Sequence, residues 1–326
     1  MKAFWAVLKN DMSRMLEYKS RVILLLVLTT GAIAAAVFFN TKAETAGNIA
    51  FVSQGNQSGI ESPYLNITIL EEEPPLSDLV SGRYDAIVTE NGSGGYEIQT
   101  IKSDELRQTI ATILSNPAEY HPDFAGHRKT GTNILGFLIM FMLMQGMTLM
   151  LLFAEDKERG QIRRVAASPV SFTGYLCAHG LFAFLFMLIP TMAILYLIKF
   201  ILAVNIGFGF WNFLLLISIL CAFATSFALL LNAVINKSDS ANMLGSAVSV
   251  LTSVLAGSFY SFDKGNPILE TMIKVLPQKS YLTLANGMET AAEMRSLRPH
   301  FIYLLGLTLI FFLVSVIKTR KDYIRN

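Results

Sequence analysis

The stretch from Glu155 to Ser171, EDKERGQIRRVAASPVS, crowds acidic and basic side chains into a short run between two apolar segments. Residues of these types at this spacing make ion pairs and charge-assisted hydrogen bonds; they do not supply a nucleophile, a base and an oxyanion stabiliser. Read as a helix, the run places Ile162, Val165 and Ala166 on one face, with Lys157, Arg163 and Arg164 spread around the rest. That is the pattern of a short amphipathic helix lying under a membrane. Gly160 leaves room for a neighbour to approach closely, and Pro169 disfavours helix through Ser168, which marks where the chain turns. Two readings stay open on these residues alone: a docking element for another protein, or an ordinary positively charged loop.

Bond-making chemistry has little footing elsewhere. The sequence holds no Gly-x-x-x-x-Gly-Lys-Ser/Thr phosphate loop, no Gly-x-Ser-x-Gly elbow and no His-Glu-x-x-His pair. His121 and His127 have no further Cys, His or clustered carboxylate to complete a metal shell, and read as surface loop. Glu71, Glu72 and Glu73 read as a solvated acidic loop before Pro74 and Pro75, and the sequons at Asn56, Asn66 and Asn91 as chance. His179 reads as an interhelical hydrogen-bonder, since a proton relay usually includes an intramembrane carboxylate. The chain is therefore expected not to be an enzyme and to bind no metal or cofactor itself. If it uses ATP, ATP and Mg belong to a partner.

The elements that must position the charged run are membrane helices. Of 326 residues, 53% are hydrophobic and only 15% charged, and six apolar stretches approach the roughly 20 residues a bilayer crossing needs. They are 22–39, 134–153, 175–198, 211–234, 242–262 and 301–317. Basic residues before the first (Lys2, Lys9, Arg14, Lys19, Arg21), after the second (Lys157, Arg159, Arg163, Arg164), after the fourth (Lys237) and after the sixth (Lys318, Arg320, Lys321, Arg325) place those segments, and both termini, in the cytoplasm. Lys264, Lys274, Lys279, Arg295 and Arg298 lie in the loop that alternation puts outside. A net charge of +2 with no basic stripe beyond the membrane flanks argues against nucleic acid as partner. Cys177 and Cys221 both fall within spans, so no disulfide framework supports the outer segments.

Residues 1–21 predict an interfacial helix, with Phe4, Leu8, Met12, Met15 and Leu16 at helical spacing, followed by an uncleaved first span. Residues 40–133 predict a small extracytoplasmic α/β domain: strands over 48–53, 67–70, 84–89 and 96–101, a hairpin at Asn91 to Gly95, a short helix through Val80, and a helix from Ser103 or Asp104 to Leu114. Residues 154–174 form the cytoplasmic charged segment, and residues 318–326 a cytoplasmic tail.

Asp156-Lys157-Glu158-Arg159-Gly160-Gln161, followed by Arg164 and Pro169-Val170-Ser171, resembles the coupling segment E-K-E-x-G-T…R…P-V-S of ABC-2 type permeases. Glu158, Gly160, Arg164 and Pro169 match. Asp156 stands for a glutamate, Gln161 for the usual threonine, and Val165-Ala166 for a leucine-rich pair. The large insertion after the first span, with its Ser81-Gly82-Arg83-Tyr84-Asp85-Ala86 run, is similar to the subgroup carrying an extracytoplasmic domain. Ile268, Leu269, Met272, Ile273 and Leu276 before Pro277 resemble the family's re-entrant or interfacial helix within the outer loop, 263–300.

The resemblance implies a six-helix polytopic membrane protein, the permease subunit of an ATP-driven exporter in a bacterial plasma membrane. It would pair with a second permease, identical or homologous, and with two copies of a separate ATPase. Glu155, Asp156, Glu158, Gly160, Arg163, Arg164 and Pro169 would then form the ATPase-coupling surface. Membrane lipid surrounds it, and an amphiphile such as an antibiotic, drug, lipid or lipopeptide is the expected cargo. The polar, uncharged side chains Gln145, Asn212, Thr225, Ser226, Asn232 and Ser246 are the candidate pathway lining. Independently of the resemblance, Gly245, Ser249, Ser253 and Gly257 recur every fourth residue, a small-residue stripe for close helix packing either within one subunit or at a subunit seam. The alternative function is a membrane receptor whose outer domain binds a ligand without transport.

Overall fold

The computed structural model describes residues 2–43, 47–52, 65–91, 95–101, 104–115, 129–167, 171–202, 206–259 and 267–324. His121, His127, Asn56, Ser103, Pro169 and the hairpin residues 92–94 lie outside them. The chain forms two compact units, residues 1–37 with 128–326, and residues 38–127.

The first unit is helical. Its helices are α1 (Lys2–Glu17), α2 (Lys19–Ala43), α5 (Thr130–Glu158), α6 (Gln161–Ala166), α7 (Phe172–Leu202), α8 (Phe210–Val234), α9 (Ser238–Leu255), α10 (Pro267–Val275), α11 (Pro277–Glu289) and α12 (Met294–Ile324). Five are long and apolar enough to cross a membrane: α2, α5, α7, α8 and α12. The fifth predicted span, 242–262, instead yields α9, 18 residues ending at Leu255 and so about 27 Å long at ~1.5 Å per residue. Asp239, Asn242 and the serines in its first turns keep it below the apolarity of the other five.

Helix α5 is the central post. Across its 29 residues, side chains from Ile134 to Phe153 are buried on most sides, which fits a helix without a clear apolar stripe. Gly146 is where α8 comes closest: a Cβ built there would stand 2.8 Å from the Ala224 carbonyl oxygen. Backbone cannot move aside as a flexible side chain can, so only glycine permits this crossing. On another side, the Gln145 amide donates to Thr29 Oγ1 at 2.6 Å and to the Leu25 carbonyl at 3.3 Å, tying α5 to α2.

At the start of α5 the Glu289 carboxylate, from the end of α11, accepts Gly131 N–H (2.8 Å), Thr132 N–H (2.7 Å) and Thr132 Oγ1–H (2.6 Å). Free first-turn donors and the helix dipole both favour an anion there. Helix α11 was not foreseen: Pro277, read as the end of an apolar helix, is the first residue of the next, where a missing N–H is no loss. Tyr281 seats α11 by donating to the Leu216 carbonyl of α8 (3.0 Å), and Gln278 by donating to Thr252 Oγ1 of α9 (2.7 Å).

The second unit holds a four-stranded sheet in the order β2-β1-β3-β4, built from β1 (Gly47–Val52), β2 (Leu65–Leu70), β3 (Ala86–Asn91) and β4 (Gly95–Gln99). Strand β1 runs parallel to β2 and β3, and β3 pairs antiparallel with β4 from Ile87↔Gln99 to Asn91↔Gly95. Alternation sends Ile49, Phe51, Ala86 and Val88 to one face with Ile110, Ile113 and Leu114 of α4 (Asp104–Ser115). Ala50, Val52 and Ile87 face the other way with Leu79 of α3 (Ser77–Val80) and Tyr84. The predicted α/β character is therefore present, with both sheet faces covered.

Gly146→Val should cost about 1–3 kcal/mol through overpacking, lowering the melting temperature in detergent by several degrees. Gly306→Val, in a helix with open space at that position, is the control. Equal falls in the two variants would contradict the close crossing of α5 and α8.

Candidate functional site

The last turn of α5 carries Glu155, Asp156, Lys157 and Glu158 in succession, and each points to a different part of the chain. Successive helical positions are turned by about 100°, so four adjacent charges cannot share one face.

Asp156 is 5% exposed and accepts two bonds from Arg14 of α1, at 2.9 and 3.0 Å through Nη1. Tyr175 of α7 adds its hydroxyl at 3.3 Å. Glu155 faces Arg21 of α2 at 3.2 Å, with Arg14 and Arg159 each at 3.7 Å. Both acids thus fasten the N-terminal helices to α5. One turn from Arg14 toward the start of α1, Asp11 is fully buried and lies 2.6 Å from His179 Nδ1 of α7. The His179 ring stands edge-on to Tyr175, with centroids 4.5 Å apart, and to Phe153 at 5.8 Å. His179 is accordingly an interhelical partner, and its partner is an acid on the helix predicted to lie at the interface.

Lys157 is 6% exposed, and its ammonium donates to three backbone carbonyls: Asn232 (3.0 Å), Ala233 (2.9 Å) and Ile235 (3.1 Å). These carbonyls end α8, where the last turn lacks intrahelical donors and the dipole favours a cation. The Glu158 carboxylate accepts Ser238 N–H at 2.6 Å and Ser238 Oγ–H at 3.0 Å. Ser238 is the first residue of α9, so this anion caps a helix start. Two adjacent residues of α5 therefore grip both sides of the elbow between α8 and α9. Sequence reading placed Lys157 on the helix surface and Glu158 on a docking face. The clue available was Ser238-Asp239-Ser240, a polar start of helix right after an apolar one.

Beyond Glu158 the chain reverses through Arg159 and Gly160. Gly160 has φ +68° and caps the start of α6, a left-handed conformation that costs an L-residue roughly 1–2 kcal/mol. Among the described residues nothing lies within 4 Å of a Cβ built there, so the glycine serves the turn rather than a close approach by any of them. In α6, Ile162 is fully buried and Val165 packs on the same core, while Gln161, Arg163 and Arg164 are exposed. The side chain of Ala166 and residues 168–170 are not among the described ones.

The structure does not bring the predicted lining residues together. Gln145 faces α2; Thr225, Ser226 and Asn232 are buried along α8; Asn212 is exposed in the first turn of α8; Ser246 is half-buried on α9. Asn232 donates to the Ala228 carbonyl of its own helix at 2.8 Å. Of the small-residue stripe, Gly245, Ser249 and Ser253 are buried, and Gly245 lies against Met147 of α5. The stripe therefore packs α9 within this chain. Gly257 lies past the helix end, in a left-handed turn at φ +78°.

Lys157→Met removes the shared donor of three carbonyls and should destabilise the fold by about 2–5 kcal/mol. Amide exchange at 234–240 should rise more than along α5. Exchange rising uniformly, or not at all, would mean that the elbow does not depend on this ammonium.

Membrane helices bound to one another through the end of α5, with a short basic segment hung from it, set the context for comparison with known proteins. The family profile described as ABC-2 family transporter protein matches residues 34–317. No curated protein matches the chain at a significant level. Since that match takes in most of the chain, including α5 to α9 whole although not Arg14 of α1 or Arg21 of α2, the protein belongs to the ABC-2 transporter family.

Proposed function

We propose that the chain is the membrane subunit of an ATP-driven exporter that moves an amphiphile, working with a second permease and with two copies of a separate ATPase that holds ATP and Mg. Family membership implies an ABC ATPase partner and a dimeric arrangement in general. The identity of the partner, the cargo and the outward direction belong to this proposal. In it α9 supplies a sixth crossing, both termini face the cytoplasm, and residues 38–127 form an extracytoplasmic domain. The receptor reading is not favoured by the family match.

The observation that carries the proposal is the convergence of ties at the last turn of α5. Closure of the ATPase would push on α6, which joins α5 through Gly160. From there the displacement would pass along two routes. Asp156 and Glu155 carry it to α1 and α2 through Arg14 and Arg21; Lys157 and Glu158 carry it to the elbow of α8 and α9. Partly buried charge-assisted bonds suit this task, because solvent screens them less than surface pairs and their geometry is fixed. Glu158 accordingly acts as a positioning residue inside the permease. The amphiphilic cargo rests on the resemblance to ABC-2 permeases and on the lack of charge among the predicted lining residues.

Co-expression with the candidate ATPase, followed by measurement of cargo-stimulated ATP hydrolysis, tests this. Glu158→Ala should leave the ATPase co-purifying yet abolish stimulation, and Gly160→Trp should abolish stimulation too. Stimulation unchanged in both would sink the coupling role of this segment.

A further inference from the structure

The charged run is nearly balanced in sequence, yet the surface it presents is not. Glu155 and Asp156 are turned to Arg14 and Arg21, Lys157 to the end of α8, and Glu158 to the start of α9. What remains outward is mostly basic, since the one exposed acid of the run, Glu158, has its carboxylate engaged by Ser238. The Arg159 side chain is 60% exposed, and Arg163 and Arg164 project from α6. Helix α12 packs beside α6 and ends with exposed Arg320 and Lys321, while its Asp322 is held by Lys318 at 2.8 Å. Arg163 lies within electrostatic reach of Tyr323 on the same helix end.

Building on the exporter reading, we infer that α6 and the end of α12 form a cationic docking surface, and that the ATPase meets it with a groove lined by carboxylates. Cations beside a membrane also attract anionic lipid, but a helix that lies in lipid must turn an apolar face to it. In α6 the apolar residues Ile162 and Val165 are already packed into the chain's own core. Its exposed described side chains are polar or basic. Guanidinium groups favour carboxylates through paired, planar hydrogen bonds, so arginine at both 163 and 164 fits an acidic protein surface. Of the acidic residues that the family resemblance assigns to the docking face, Glu155 and Asp156 are turned to arginines of the chain itself, and the exposed Glu158 is engaged by Ser238.

The test uses the full permease co-expressed with its ATPase and purified together in mild detergent. Wild-type association should weaken at least tenfold between about 0.05 and 0.5 M salt, as screening shortens the reach of charge. Arg163→Glu with Arg164→Glu should reduce association at least tenfold at physiological salt without shifting the melting temperature; Arg163→Lys with Arg164→Lys should retain most of it. Replacing groove carboxylates of the ATPase by lysine should restore binding to the doubly acidic permease. If that permease retains the ATPase as well as wild type does, while losing affinity for phosphatidylserine-containing vesicles, the surface is a lipid contact and the inference is overturned. A wild-type permease that retains no ATPase overturns the exporter reading along with it.

Discussion

Everything at one end of the helical unit depends on a single ammonium group kept out of water. Among the described residues no carboxylate is hydrogen-bonded to Lys157; three carbonyls at the end of α8 hold it instead. A cation in such a place is stable only while those carbonyls stay where they are, and the carbonyls are satisfied only while the cation stays. The dependence is mutual. It fixes the angle at which α8 gives way to α9, and Glu158 fixes the angle from the other side. Asp156 and Arg14 then set the N-terminal helix against the same turn of α5.

Helix α5 is held at both ends by the same physics with the sign arranged to suit. Glu289 brings negative charge to its start, where N–H groups are free. At its far end, α5 itself brings positive charge to the carbonyl end of a neighbour. Between these anchorages Gly146 lets α8 cross at backbone distance. A helix fixed at both ends and crossed closely in the middle is restrained along its whole length.

Much of this architecture is legible in the sequence, and the remainder is illegible for specific reasons. Apolar length gives α2, α5, α7, α8 and α12, because burial in lipid needs a long uninterrupted run. The alternation and turn residues of 47–99 give the strands. The charged run itself stands out. Its partners do not, since Arg14 and Asp156 are 142 residues apart and nothing local distinguishes an acid that faces a half-buried arginine from one that faces solvent. Asp11 shows the same limit: a helical wheel puts it beside Met12 and Met15 with no hint that His179 waits there. Pro277 misleads because proline ends one helix and begins another with equal ease. The stripe through Gly245, Ser249 and Ser253 is visible as a packing surface, but its choice of neighbour depends on Met147, which lies in a different helix.

The ties between α1 and the rest also order events in time. Arg14 is made long before Asp156, and Asp11 before His179; the chain must grow by 142 residues before the earlier of these two ties can form. At about 5–20 residues per second, that is a delay on the order of ten seconds. Until His179 has been made as well, Asp11 lacks the imidazole that faces it in the folded chain. Both ties of α1 therefore close late, because each waits for a residue of α5 or α7 that the ribosome adds well over a hundred residues after α1.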